Sequence, residues 1–494
     1  MPLGATSSDE PLYVQIATTF TRQVANGALR AGDRVPSLRR LSQQHRVSMS
    51  TALQAYLWLE NRGYLEARPQ SGFYVRTPFW RQIPEPRFEP RRPEPRTLST
   101  DAILSGLIAA AEDPANIPFG AGTGSPELFP NHRLGLIARR IIRHNPLHNS
   151  HYVFPPGAEP LRRQIARHSA EMGCPVSPAE ITITCGAMEA INLALRAAAR
   201  PGTVIAVESP TYFGILGAAA SLGMKVIEIP THPQHGMDLA ELDRAVRKHN
   251  VKVCVTMTNC QNPLGYVLPD GYKKALVQLA EKHNVVVIED EVYGDLAFQG
   301  SRPRALKSFD RKGLVLVCSS VSKTLSPGLR VGWVVAGQFH PQVERLKLIT
   351  TVATAGLPQA VVAEFLQSGG YDRHLKRLRT TLAGQMEAVR QAIAKYFPAD
   401  TRISRPAGGY MLWVQLPEQI NALELYRAAL EEHISILPGT IFSATGRFEN
   451  CIRMNCGHSW SEAHDRALLT LGRLCERIAT PGRLSAANVR REVL

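Results

Sequence analysis

Apolar residues near the start of the chain recur every three or four places, and beyond residue 99 they gather into short runs separated by helical stretches. Leu12, Ile16, Phe20 and Val24 fall on one face of a helix that Gly27 can close. A second helix is expected from Pro36 to about His45, with proline at its first position and Leu38 and Leu41 on one side. A third begins near Ser48, which can act as N-cap, carries Ala52, Ala55, Tyr56 and Leu59 inward, and stops at Arg62-Gly63. Residues Tyr64 to Val75 then alternate around a Pro/Gly turn, as a hairpin does. Three helices and a wing over residues 10–77 make a winged helix-turn-helix, a plan built to meet double-stranded DNA.

Residues 78–98 change character, with Pro84, Pro86, Pro90, Pro93 and Pro95 interleaved with arginines and glutamates. Such a stretch buries too little apolar surface to fold and favours polyproline II, so it is expected to be a semi-rigid tether reaching up to roughly 60 Å. Residues 99–480 return to order. Apolar runs at Ile181–Thr184, Thr203–Val207, Val226–Ile229, Val251–Thr256, Val285–Ile288, Leu314–Val317 and Val331–Ala336 alternate with helical stretches. That alternation predicts an α/β domain, a mainly parallel sheet covered by helices on both faces. After about residue 340 a long helix near 371–396 and strands around Met411–Leu416 and Cys451–Asn455 predict a smaller α+β subdomain, and the last fifteen residues look weakly ordered.

At 494 residues, two or three domains are expected, and an apolar fraction of 44% is ordinary for a soluble protein. No apolar run approaches the roughly 20 residues of a membrane span, and the N-terminus lacks a signal-peptide layout, so a cytoplasmic location and no membrane partner are expected. The eight cysteines include no C-x-x-C pair, which points to reduced core thiols with neither a disulfide framework nor a metal site. The net charge of +15 favours polyanionic partners.

Lys323 directs the chemistry. It follows the apolar run Leu314–Val317, with Ser320 and Ser322 before it and Arg330 after it. A lysine at the carboxyl end of a buried strand, with hydroxyls and a guanidinium nearby, suits an aldehyde cofactor that carries a phosphate, pyridoxal 5′-phosphate, held as a Schiff base. Taken alone it would read as a surface lysine. Asp290, ending Val285 to Asp290, can pair with the protonated pyridine nitrogen and keep the ring an electron sink, although strand-end acids are often helix caps. Tyr293 and Asn262 could reach the phenolic oxygen, and Tyr212 could stack on the ring or be a plain core tyrosine. Gly186, Ala187 and Met188 open a helix after a strand, so their backbone could meet the phosphate beside Ser320, Ser322 and Arg330. Arg453 could bind a substrate carboxylate bidentately or make a surface ion pair.

Residues 100–478 resemble the fold-type I aminotransferases of class I/II, whose motifs N-P-x-G, D-E-x-Y and S-x-S-K-x-x-x-P-G-L-R-x-G appear here in that order. They are Asn262-Pro263-Leu264-Gly265, Asp290-Glu291-Val292-Tyr293 and Ser320 to Gly332. The N-terminal module resembles the GntR-type winged helix through Arg34-Val35-Pro36-Ser37, Tyr56-Leu57-Trp58-Leu59-Glu60 and Gly63 to Gly72. The fusion is similar to the MocR-like subfamily of GntR transcriptional regulators. The resemblance implies a homodimer with its sites at the interface, where a tyrosine from the partner subunit reaches the phosphate; Tyr152, ahead of Gly157, is the candidate. It also implies that Met188 stands where relatives often carry a polar residue.

The reading that follows is a regulator that senses pyridoxal phosphate or its adduct with a small amino compound. An active aminotransferase carrying a DNA-binding arm and a mere dimerisation scaffold stay open. On the DNA side the expected contacts are Ser48, Ser50 and Thr51 at the start of the third helix, with Arg39, Arg40 and Arg68, though capping and solvation would use the same residue types. Arg39→Ala and Arg40→Ala are each expected to weaken DNA binding and to reduce the slope of log affinity against log salt by about one. A salt titration with an unchanged slope removes them from the phosphate interface.

Overall fold

A strand buried on both faces needs apolar side chains on each side of the pleat, and the runs of the main domain meet that demand. In the computed structural model, residues 11–480 are described apart from 26–27, 69–70, 77–82, 88–91, 98–105, 107–108, 112, 146–149, 172 and 299–300. The largest sheet orders its strands Arg96–Thr97, Lys225–His232, Val204–Ser209, Val253–Thr256, Val286–Asp290, Val315–Ser320, Gly332–Val335 and Ile181–Thr184. The five from Lys225–His232 to Val315–Ser320 run parallel, and Gly332–Val335 is antiparallel to both its neighbours.

Alternation along each strand separates two hydrophobic layers. Ile205, Val207, Val253, Val255, Val286, Ile288, Leu314 and Leu316 pack under helix Ala187–Ala198. Ala206, Cys254, Val287 and Val315 face helices Leu239–His249 and Asp270–His283. The parallel strands therefore end together at Ser209, Thr256, Asp290 and Ser320, on the edge where open α/β sheets bind ligands.

Helix Gly370–Tyr396 leads into the smaller lobe, where Arg402–Ile403, Met411–Gln415, Cys451–Asn455 and Leu437–Pro438 form an antiparallel sheet. Helix Glu462–Ala479 closes its core with Leu468, Leu471 and Leu474 against Leu412, Val414 and Ile452. No helix among the described residues is long and apolar enough to cross a membrane.

The N-terminal module folds as helices Leu12–Ala25, Leu38–His45 and Met49–Asn61 and strands Leu65–Arg68 and Gly72–Val75. Ile16, Phe20, Leu41, Ala52, Tyr56 and Leu59 form its core, and the Tyr56 hydroxyl donates to Pro36 O at 2.7 Å. The second helix, Leu38–His45, opens two residues later than the sequence predicts. Ser37, in extended backbone, is its N-cap and accepts from Arg40 N at 3.3 Å, so Pro36 stands outside the helix. The wing residues Pro69-Gln70 and the final residues 481–494 lie outside the described residues, as do both expected limits of the 78–98 segment.

That segment departs from the expected tether. Its described parts, 83–87 and 92–97, lie against the main domain. Polyproline carbonyls have no internal partner, and exposed sheet edges supply donors for them. Pro84 O accepts from Ile403 N at 3.1 Å and Glu85 O from the Arg402 guanidinium at 3.2 Å. Farther along, Glu94 meets Lys248 Nζ at 2.8 Å, and Arg96–Thr97 pairs antiparallel with Val226 and Lys225.

Candidate functional site

Residues from five strand ends and the small lobe converge on one crevice. Lys323 lies in the loop after strand Val315–Ser320, and its Nζ donates to Gly122 O at 2.7 Å. Asp290, on the neighbouring strand, is 2% exposed, and its Oδ1 has no protein partner. Burial pushes its carboxyl up to about 7, with the charges of Glu208 and Glu289 adding to the rise and Lys323 and the Val292 amide opposing it. A buried carboxylate with a free oxygen and an amine beside it is incomplete without a cationic or hydrogen-bonding ligand group.

Asn262 and Tyr293 follow the ends of strands Val253–Thr256 and Val286–Asp290. Asn262 is 4% exposed with Oδ1 unpartnered, and Tyr293 is buried with its ring 5.5 Å from that of Tyr410. Burial holds the Tyr293 and Tyr212 hydroxyls above the usual phenol range, so both stay protonated donors. Tyr212 stands just before helix Phe213–Ser221 and is close enough to Asp290, Arg453 and Arg330 to feel their charges.

A cup for an anion forms where strand Ile181–Thr184 turns into helix Ala187–Ala198. Gly186 sits at φ 79, and a Cβ there would overlap the Arg330 guanidinium. Arg330 donates to Ser322 Oγ at 3.3 Å and Cys185 O at 3.2 Å, and Ser322 N donates to Ser320 Oγ at 3.3 Å. The amides of Ala187 and Met188 belong to a first turn that has no intrahelical acceptor. The Met188 side chain packs on the hydrophobic layer, which leaves its backbone for a ligand. Glu189, an acid in that same turn, is engaged by Cys185 N at 2.6 Å, Lys347 Nζ at 2.8 Å and Thr351 Oγ1 at 2.8 Å.

Arg453 is not a surface residue. It is 1% exposed, donates through Nη2 to Gly120 O and Ala121 O, and keeps Nε without a protein partner. Burial pulls its guanidinium below the usual value while Tyr293, Tyr212 and Tyr410 oppose the fall. Two contributors escaped the sequence reading: Asn455, whose Nδ2 donates to Ala121 O at 2.9 Å and Thr123 O at 2.6 Å, and the Gly120–Thr123 turn it holds against Lys323. Their signal was faint, since Asn455 is two residues from Arg453 on the same face of a strand.

Tyr152 stands apart, 72% exposed, with its ring 5.5 Å from that of Phe154. On the N-terminal module Arg39, Arg40 and Ser50 are exposed and Thr51 is half-buried. Ser48 is engaged as the N-cap, accepting from Thr51 N at 3.1 Å. Arg68 is bound to Glu66 at 2.6 Å and lies 4.3 Å over the Tyr74 ring.

The donor set fits pyridoxal 5′-phosphate: an amine for the aldehyde, a carboxylate for the ring nitrogen, Asn262 and Tyr293 for the phenolic oxygen, and Arg330, Ser320, Ser322 and a helix N-terminus for the phosphate. Buried polar atoms of Asp290, Asn262 and Arg453 that no protein group engages lie among these donors, as a polar ligand requires.

Residues 137–468 match the family described as aminotransferase class I and II, and residues 12–75 match the bacterial regulatory proteins of the gntR family. The chain is 39% identical to the uncharacterized HTH-type transcriptional regulator YdcR of Escherichia coli over 94% of this chain and 99% of that one. It is 36% identical to the regulator YjiR of the same organism over 93% and 98%. Among solved structures it resembles LysN, the α-aminoadipate aminotransferase of Thermus thermophilus complexed with N-(5′-phosphopyridoxyl)-L-leucine, at 28% identity and a TM-score of 0.71, covering 77% of this chain and 95% of that one.

Because the Asp290 carboxyl is raised to about 7 in the folded protein, the folded state holds an extra proton between the ordinary carboxylate range and that pH. Its contribution to stability is therefore present at acid pH and declines as pH rises toward 7. Asp290→Asn is expected to remove that decline, so the thermal midpoint of the cofactor-free variant gains on wild type as pH goes from 5 to 8. Parallel midpoint curves would show that Asp290 does not titrate in this window.

Proposed function

Because the chain belongs to the aminotransferase class I and II family and carries a gntR-family DNA-binding module, we propose that it is a transcriptional regulator whose aminotransferase-like domain binds pyridoxal 5′-phosphate, or its amino-compound adduct, as effector. The observation that carries this reading is a cofactor-shaped donor set at the strand ends, in which Asp290, Asn262 and Arg453 are buried with polar atoms unengaged, in the same chain as a winged helix. In this reading Lys323 holds the aldehyde covalently, Asp290 keeps the ring nitrogen protonated, and Arg330 with the Gly186 turn neutralises the phosphate. Arg453 orients the carboxylate of an amino compound. The cofactor when bound supplies an electron sink for the bonds at the α-carbon of such a compound.

The working form is a cytoplasmic homodimer on double-stranded DNA, in which the exposed Tyr152 of each chain serves the other chain's phosphate. Exposure of Tyr152 and Phe154, and of Leu348, Ile349 and Val352 elsewhere on the domain, supports an unpaired apolar surface of that kind.

Regulation requires that ligand binding favour one arrangement of the chain over another. The docked segment provides a physical link. Glu85 is bonded by Gln234 of the large lobe and reaches Arg405 of the small lobe at 3.4 Å, so it spans the two lobes that enclose the crevice. The N-terminal module touches the main domain through Gln391 Nε2, which donates to Arg62 O at 2.6 Å at the end of the third helix.

A second reading, an active aminotransferase with a DNA-binding arm, is favoured by the retention of both Lys323 and a fully buried Arg453. DNA-shift titrations with and without cofactor, beside turnover assays on an amino-acid panel, separate the two. The regulator reading predicts a change in DNA affinity of about fivefold or more on cofactor addition, absent in Lys323→Ala. Rapid complete transamination with cofactor-indifferent DNA binding would overturn it. Glu85→Ala is expected to shrink the ratio of DNA affinities while leaving cofactor affinity within about twofold of wild type; an unaltered ratio removes the segment from the link.

A further inference from the structure

Behind the crevice lies an acid that the proposed function does not use. Glu208, next to the end of strand Val204–Ser209, is 0% exposed. Its Oε1 accepts from Thr256 Oγ1 at 2.7 Å, Tyr266 OH at 2.7 Å and Met257 N at 3.1 Å, and its Oε2 from Gln261 Nε2 at 3.2 Å. An amide N–H and a carboxamide NH2 can only donate, so this ring of partners is matched to an ionised carboxylate. Burying such a charge is costly, and Thr256 and Met257 alone could have been satisfied by a neutral acceptor.

The donors reveal what the charge organises. Gln261 Nε2 also donates to Pro210 O at 2.9 Å, its Oε1 accepts from Leu264 N at 2.7 Å, and its backbone N donates to Tyr266 O at 3.1 Å. The turn from 261 to 266 is thus wrapped around one carboxylate, and Asn262 is its second residue. Glu208 also adds to the forces raising the proton affinity of Asp290, as does Glu289, while Lys323 opposes them. The other titratable groups within its field are Tyr266, Tyr272 and Cys254, all held protonated by burial. Burial raises the proton affinity of Glu208 above the usual carboxylate range, and its four donors only partly offset that rise.

We propose that Glu208 is a positioning residue of the cofactor site, fixing the turn that presents Asn262 and keeping a negative charge behind Asp290. This rests on the reading that pyridoxal 5′-phosphate binds here. A bound ring would then meet a carboxylate whose grip on the ring-nitrogen proton is strengthened from behind, and a phenolic-oxygen partner that cannot swing away.

The test uses full-length wild type, Glu208→Gln and Tyr266→Phe, titrated with pyridoxal 5′-phosphate and followed by visible absorbance and by the thermal midpoint of the cofactor-free protein. Glu208→Gln keeps the shape and removes the charge. It is expected to weaken cofactor binding about tenfold or more. The pH midpoint of the absorbance of the lysine-bound cofactor should move to lower pH, because loss of a negative charge lowers the proton affinity of its neighbours. Tyr266→Phe, lacking one donor, should weaken binding in the same direction by less. A role in packing alone would lower the thermal midpoint and leave the pH midpoint in place; that result overturns the proposal. Should Glu208→Gln prove insoluble, Tyr266→Phe decides, and wild-type affinity in that variant overturns it. Absence of any visible absorbance in wild type would instead sink the cofactor reading, and this inference with it.

Discussion

The charge balance at Asp290 governs the rest of the crevice. A carboxyl group buried at a strand end, with one oxygen unpartnered, sits in a field made by Glu208 and Glu289 on one side and Lys323 on the other. The carboxyl is almost closed to solvent, so the energy of each neighbour depends on whether that group is ionised. The sheet makes the arrangement affordable: parallel strands bring their carboxyl ends to one edge, and the polar residues needed for chemistry gather where the hydrophobic layers stop.

Two classes of contact hold the site in shape. Within the large lobe, hydrogen bonds to acidic side chains fix the segments that carry Asn262 and the phosphate cup; the buried Glu208 and the half-buried Glu189 each gather donors from separate parts of the chain. Between lobes, Arg453 and Asn455 reach back to the Gly120–Thr123 turn, whose Gly122 carbonyl receives Lys323. The small lobe is therefore bonded to the lysine through one short turn and to the large lobe's edge through Glu85. A ligand that changes the separation of the lobes pulls on both.

Much of this was legible in the chain itself, and the reason differs from part to part. Buried parallel strands write themselves as unbroken Val and Ile runs, and motif glycines and serines mark where the chain turns toward a ligand. Lys323, Asp290, Asn262 and Arg330 sit at such junctions, and the order of the motifs that hold them, rather than any one residue, is what gathered them. Asn455 and the Gly120–Thr123 turn were not legible, because their role depends on which lobes come together. The docking of residues 83–87 and 92–97 was invisible for a related reason. Proline-rich composition reports what a segment cannot bury by itself, and says nothing of the sheet edges and guanidinium groups it meets elsewhere. Ser48 shows the opposite hazard, since a hydroxyl at a helix start serves the helix before it serves a partner.

Gly186 has a bearing on how such a chain could change over generations. Its backbone lies in the left-handed region and its missing side chain leaves just enough room for the Arg330 guanidinium. Any other amino acid there would strain the turn and displace the arginine, yet it would leave both hydrophobic layers and the entire N-terminal module intact. A lineage could thus unseat that arginine by one codon and still inherit both domains folded.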